Sequence, residues 1–211
     1  MRNIPATLSV LLLIFTLFSC QKELSFEKDS GNNPASLLGT WKFLELSVAV
    51  ESGSTFDYGG IPGRIVATYA ATTQNNKGFL TVTADKMETT DLGYSISAKV
   101  KIITYLGGIP VDPQPQEEQL DFDLPSSSAS SDYQQVGSDS LYFPNGPIFD
   151  IPDTNGQQLP GASDPAGARF TITGDTLVIK SAVNKSTITR QGNSEYEVTQ
   201  KVNGTATFLR Q

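Results

Sequence analysis

The chain of 211 residues contains no histidine. That removes His-based triads, the side chain that titrates near neutral pH, and the commonest protein metal ligand. It contains one cysteine, so no internal disulfide can form and no multi-thiolate zinc site can be built. Basic residues are few: 15 Lys and Arg stand against 22 Asp and Glu, a formal charge of −7. Non-specific nucleic-acid binding needs a basic stripe, and none is present. Beyond the first 18 residues no long segment has apolar residues at helical spacing, which argues against a helical body. No apolar run reaches the ~20 residues needed to span a bilayer as a helix.

The single cysteine has a particular setting. After Met1-Arg2-Asn3 comes Leu8 to Phe18, an almost unbroken apolar run, and then Ser19-Cys20-Gln21-Lys22-Glu23. Eleven residues make about 17 Å of helix, too short for a bilayer core of about 30 Å. A short positive start followed by a short apolar run is a secretory signal. The end of that run, Leu17-Phe18-Ser19-Cys20, resembles the bacterial lipobox. The resemblance implies cleavage between Ser19 and Cys20 and acyl chains, palmitate among them, on Cys20. The chemistry asks for cysteine because a thiolate is the strongest side-chain nucleophile. Gln21-Lys22-Glu23 resembles the short charged export tag of surface lipoproteins of Bacteroidota. The expected address is therefore the outer membrane, lipid-anchored, facing the cell surface, with the periplasmic face as the alternative.

Residues 1–19 thus read as a lipoprotein signal peptide, 20–36 as a lipidated polar tether, and 37–211 as a single domain. The mature chain keeps a net charge near −8, because Arg2 is the only charged residue lost. Within the domain, strand patterns dominate. Gly78 to Ala84 alternates, with Leu80 and Val82 opposed to Phe79 and Thr81. Gly93 to Leu106 places Tyr94, Ile96, Ala98, Val100 and Ile102 on one face and Ser95, Ser97, Lys99 and Lys101 on the other. A period of two is a half-buried strand. Trp41 to Val50 starts on one parity and drifts to the other. From Arg169 onward short strands follow one another: 169–173, 176–180, 186–190, 196–202 and 205–210. The turns expected between them include Gly174-Asp175, Gln191-Gly192-Asn193 and Asn203-Gly204, the last a strong hairpin signal.

The middle differs. Residues 107–167 hold Pro110, Pro113, Pro115, Pro125, Pro144, Pro147, Pro152, Pro160 and Pro165. Proline is excluded from central strands, so this segment reads as long inserted loops in which only 119–124 and 140–143 can pair. Candidate chemistry is sparse. Glu117, Glu118, Asp121 and Asp123 form a carboxylate cluster that could bind Ca²⁺ or supply an acid–base pair, or simply guard a solvated edge strand. Asp150, Asp153 and Asn155 resemble a degraded calcium loop. Gly59-Gly60 and Gly107-Gly108 lack the following Lys-Ser of a phosphate cradle. Tyr133, Tyr142, Phe143 and Phe149 could either cover a lipophile at a barrel mouth or pin a long loop to the sheet. No catalytic residue, metal site or cofactor is expected.

The opening of the domain, Leu37-Leu38-Gly39-Thr40-Trp41, resembles the Gly-X-Trp start of lipocalin-like domains. The resemblance implies an all-β, antiparallel up-and-down barrel. It also implies that Trp41 plugs the closed end with Arg210, on the last strand, lying over its ring. A guanidinium on an indole contributes about 0.5 to 2 kcal/mol. The function expected on this basis is non-enzymatic: binding of a small apolar or amphipathic ligand inside the barrel. The alternative is a structural or interaction lipoprotein contacting an outer-membrane protein or a glycan.

Overall fold

The computed structural model describes residues 36–146, 149, 151–155, 164–191 and 194–211. Ser19, Cys20 and the tether before Ser36 lie outside the described residues. Those described are all-β and antiparallel, with no helix, so none of them forms a helix long and apolar enough to cross a membrane.

One 11-stranded sheet contains every strand of the described residues. In chain order these are β1 Gly39–Tyr58, β2 Ile61–Thr72, β3 Gln74–Val82, β4 Lys86–Leu106, β5 Ile109–Pro110 and β6 Gln116–Asp132. They continue with β7 Gln134–Val136, β8 Ser140–Phe143, β9 Ala166–Thr173, β10 Thr176–Gln191 and β11 Ser194–Arg210. β1 pairs with β2, β3 with β4 and β4 with β5, while β2 and β3, β5 and β6, and β6 and β7 do not pair with each other. β2 and β3 both lie between β1 and β4. β6 pairs with the far side of β4. β7 begins two residues after β6 ends and pairs with β8. β8 to β11 then follow as a meander, and β11 returns to pair with β1 from Trp41↔Arg210 to Ser54↔Val198.

Several strands bend at one level, and the sequence supplies the device each time. The β1–β11 register slips between Phe43 and Glu45, leaving Leu44 as an extra residue. This bulge moves the buried positions from Trp41 and Phe43 to Leu46, Val48 and Val50, which accounts for the parity drift in the sequence. Asn75 on β3 and Asp91 on β4 are the non-glycine residues with positive φ, 54° and 52°, and both sit at register slips. Asn and Asp tolerate this conformation best among side-chain-bearing residues. Asn76 steadies the bend by donating from Nδ2 to the Leu44 carbonyl at 2.7 Å. Bulges of this kind bend strands and increase local twist.

Two expectations need correction here. The Pro-rich segment is far more ordered into sheet than proline content suggests: pairing covers 116–132, 134–136 and 140–143. Pro125 is accommodated because Pro125 and Ser126 together face Gly93 alone, between Leu92↔Ser127 and Tyr94↔Leu124. A bulge leaves a residue outside the ladder, so the missing N–H is tolerated. Asn203-Gly204 is not a turn. It lies inside β11, paired with Ala49 and Val48 on one side and with Ala182 and Ser181 on the other. β10 likewise runs unbroken from 176 to 191. By contrast Gly174-Asp175 does turn the chain, with Thr173 opposite Thr176 and Gly174 at φ 57°.

Candidate functional site

The two ends of the sheet are built differently, and the sequence-derived pair lies at one of them. Trp41 and Arg210 face each other across β1 and β11. The guanidinium carbon lies 4.1 Å from the centroid of the Trp41 ring, and the indole is fully buried. The segment before β1 folds back over this pair. Trp41 Nε1 donates to the Leu37 carbonyl at 2.9 Å. Arg210 donates to the Leu38 carbonyl at 3.3 Å and to that of Ser36. Gly39 makes the approach feasible: its φ is 129°, and a Cβ there would lie 3.4 Å from Arg210 Nη1. Few other residues adopt that φ.

Above this pair the space is packed. Phe43 and Phe208 rings are 5.6 Å apart, and Phe149 meets Phe208 at 5.8 Å. Leu46, Leu80, Met87, Ile96 and Leu177 are among the other fully buried side chains. The chain between β8 and β9 contributes Phe149, Ile151 and Pro152. Pro152 is fully buried, and its carbonyl accepts a 2.6 Å hydrogen bond from the Tyr69 hydroxyl. Burial first, and then the charge of Asp153, push the Tyr69 hydroxyl well above the ordinary tyrosine range. Ile151 fits because position 204 is glycine: a Cβ there would lie 3.2 Å from Ile151 Cδ1. The pocket enclosed by Leu46, Phe143, Phe149, Ile151, Ile179 and Ala206 has a volume of about 10 Å³. That is close to the space of one water molecule.

The aromatic residues of the middle segment divide. Tyr133 and Phe143 are buried, with rings 6.5 Å apart, and the Tyr133 hydroxyl donates to the Thr83 carbonyl at 2.7 Å. They pin their strands to the β3–β4 turn, as Phe149 pins its loop to Phe208. Tyr142 is exposed.

The carboxylate cluster lies on β6, an exposed strand. Asp121 accepts from Ser97 Oγ at 2.8 Å and from Gln119 Nε2 at 3.0 Å. Those two bonds, Gln119's first, hold its carboxyl below the usual range. Glu117 is lowered likewise, by its hydrogen bond and charge contact with Lys99 at 2.8 Å. Carboxylates held ionised this way cannot donate a proton near neutral pH, the task of a general acid. Asp123 is exposed on the same strand. Asp153 Oδ1 accepts from the Asn155 amide at 2.8 Å, a local turn, while Asp150 lies outside the described residues. Among the described residues no group of three or more acidic or sulfur ligands could hold a metal ion.

The opposite end holds the two glycine pairs, and they are turns and not phosphate cradles. Gly59-Gly60 joins β1 to β2, with Tyr58 opposite Ile61. Gly107-Gly108 joins β4 to β5, with Leu106 opposite Ile109. All four glycines have positive φ, between 58° and 85°, the conformation that a two-residue hairpin matched to strand twist requires. The signal was available: paired glycines between alternating strands. Gly204 and Tyr69, by contrast, gave no local sign of their part in the interior.

Comparisons with known protein families, with curated proteins and with solved structures returned no match.

Proposed function

We propose that the chain is a non-enzymatic lipoprotein, held at the outer membrane by acyl chains on Cys20, whose role is interaction with a macromolecular partner rather than carriage of a small molecule. On this reading its strands form an up-and-down barrel of lipocalin-like type. Support for the barrel comes from the antiparallel meander of β7 to β11, the return of β11 to β1, and the Arg210 guanidinium over Trp41; β6 and β7 do not pair with each other. The observation that carries the functional choice is the interior. Phe43, Phe149, Ile151 and Phe208 belong to the packed interior, the space beside Leu46, Phe143, Phe149 and Ile151 is about 10 Å³, and the larger hollows described, of about 580 to 710 Å³, are open to the surface. Small-molecule sites usually enclose roughly 300–1,000 Å³. An outer-membrane protein or a glycan, meeting the outer surface, is the partner class that fits a filled core.

Native mass spectrometry of residues 21–211, gently purified from the periplasm, tests the choice. The expected result is the bare protein mass. A co-purifying small molecule released on denaturation would restore the ligand-carrier reading. The anchor is tested separately, by finding acyl chains on an N-terminal peptide that begins at Cys20.

A further inference from the structure

The ends of the β1–β2 and β4–β5 hairpins carry the same four residues. Gly59-Gly60-Ile61-Pro62 and Gly107-Gly108-Ile109-Pro110 are identical. The fold sets the two knuckles side by side. β2 pairs with β4 through Gly63↔Leu106, the Gly107 amide donates to the Pro62 carbonyl at 2.8 Å, and a Cβ on Gly107 would lie 3.8 Å from Ile61 Cγ2. Around them Tyr58, Ile61, Ile109 and Val111 are 69%, 49%, 71% and 52% exposed. Large apolar side chains this bare, gathered at one place, are uncommon on a soluble surface.

The turns also have a defined geometry. Each turn takes the paired-glycine hairpin form. Asp57 Oδ1 accepts the Gly60 amide at 2.9 Å. The Phe56 ring lies over Gly63, where a Cβ would meet it at 2.3 Å.

We infer that the twin Gly-Gly-Ile-Pro knuckles are a lipid-contacting tip, which inserts Tyr58, Ile61, Ile109 and Val111 into the interface of a bilayer. A second copy is a poor occupant. The four side chains offer on the order of 400 Å², about half of the ~800 Å² per partner that a stable protein interface buries. The open groove of about 710 Å³ beside the knuckles is lined by Pro62, Gly63, Arg64, Tyr105 and Gly108 and by none of the four apolar side chains, and a bilayer needs no matching shape. Tyrosine suits the headgroup level, with an apolar ring and a polar end. Asp57 and Asp112 flank the tip and Arg64 stands behind it, so no cationic cluster is present to select anionic lipid. The surface preferred is a zwitterionic one. This inference is independent of Cys20 and of what the interior holds.

The test uses residues 21–211, which contain every described strand and core residue, and vesicles of phosphatidylcholine and phosphatidylethanolamine. An I109W variant places an indole on the tip, while Trp41 stays buried as an internal reference. The expected result is quenching of the I109W emission by lipids brominated near the headgroup. The I61S/I109S double variant, its fold verified by circular dichroism and Trp41 emission, is expected to lose at least tenfold in vesicle partitioning. Unquenched I109W emission, or partitioning unchanged in I61S/I109S, would overturn the inference. So would a tip-dependent dimer in sedimentation velocity without vesicle binding, which would make a second copy the occupant.

Discussion

Phe208 and Ile109 belong to one sheet, yet the first is fully buried and the second is 71% exposed. Their surroundings define two ends of the molecule. At the Phe208 end, β1, β3, β4, β8, β9, β10 and β11 bring side chains inward, Phe149, Ile151 and Pro152 pack among them, and the Arg210 guanidinium lies over Trp41. Beyond Val50 the short strands β8 and β9 have stopped. β1, β2 and β4 continue as long hairpins whose burial fades toward Tyr58 and Leu106. The difference shows that strand length alone does not make a core. A sheet needs an opposite wall, and only one end has one. Stability belongs to the Phe208 end, while the hairpin end has a surface to spare for contact.

The sharpest way to break this contrast is to empty the Phe208 end. F208A is expected to destabilise by about 3–5 kcal/mol, the usual cost of a phenylalanine-sized cavity, read as a lower urea midpoint. G78A comes next. Gly78 has φ 102°, and a Cβ would sit 2.6 Å from the Leu92 amide nitrogen. Strain of about 1–3 kcal/mol is expected before the backbone clash is counted, again measured by urea unfolding. R210M should cost about 1–2 kcal/mol, through the lost contact with Trp41 and the two carbonyls left without their donor. Its Trp41 emission should change as well.

Y69F sharpens the account of the filling segment. Losing one buried hydrogen bond to Pro152 costs about 1 kcal/mol. The hydroxyl also has a pH signature. Its folded pKa is raised above the ordinary 10.0, so the unfolded chain releases this proton first. The stabilisation is complete below pH 10 and declines as pH rises through the unfolded and toward the folded value. Y69F should flatten the alkaline loss of stability that the parent shows. At the hairpin end, I109S is expected to change stability by no more than about 0.5 kcal/mol, the smallest effect of the set.

How much of this was legible in the residues follows from the range of the interactions. Strand parity in 78–84 and 93–106 is a local pattern, and Leu80, Val82, Tyr94, Ile96 and Val100 are buried as their alternation requires. The Trp41–Arg210 geometry was anticipated from a resemblance, from positions at opposite ends of the domain. Asn203-Gly204 misled because local turn preference was overruled by pairing on both sides, and because Gly204 is needed for Ile151 rather than for a bend. Pro125 misled because its bulge is set by Gly93, on a neighbouring strand. The filling of the interior by Phe149, Ile151 and Pro152 was invisible. Proline and glycine around those residues signal a loop, and nothing nearby in sequence says that the loop turns inward.

The contrast between the ends is tested most directly by native-state hydrogen exchange, resolved along the strands by mass spectrometry. The account predicts slow exchange, limited by global unfolding, in 41–50, 177–181 and 204–209, and fast local exchange in 55–65 and 103–111. Equal protection at both ends would contradict it, and would mean that the hairpin end is packed against a wall of its own.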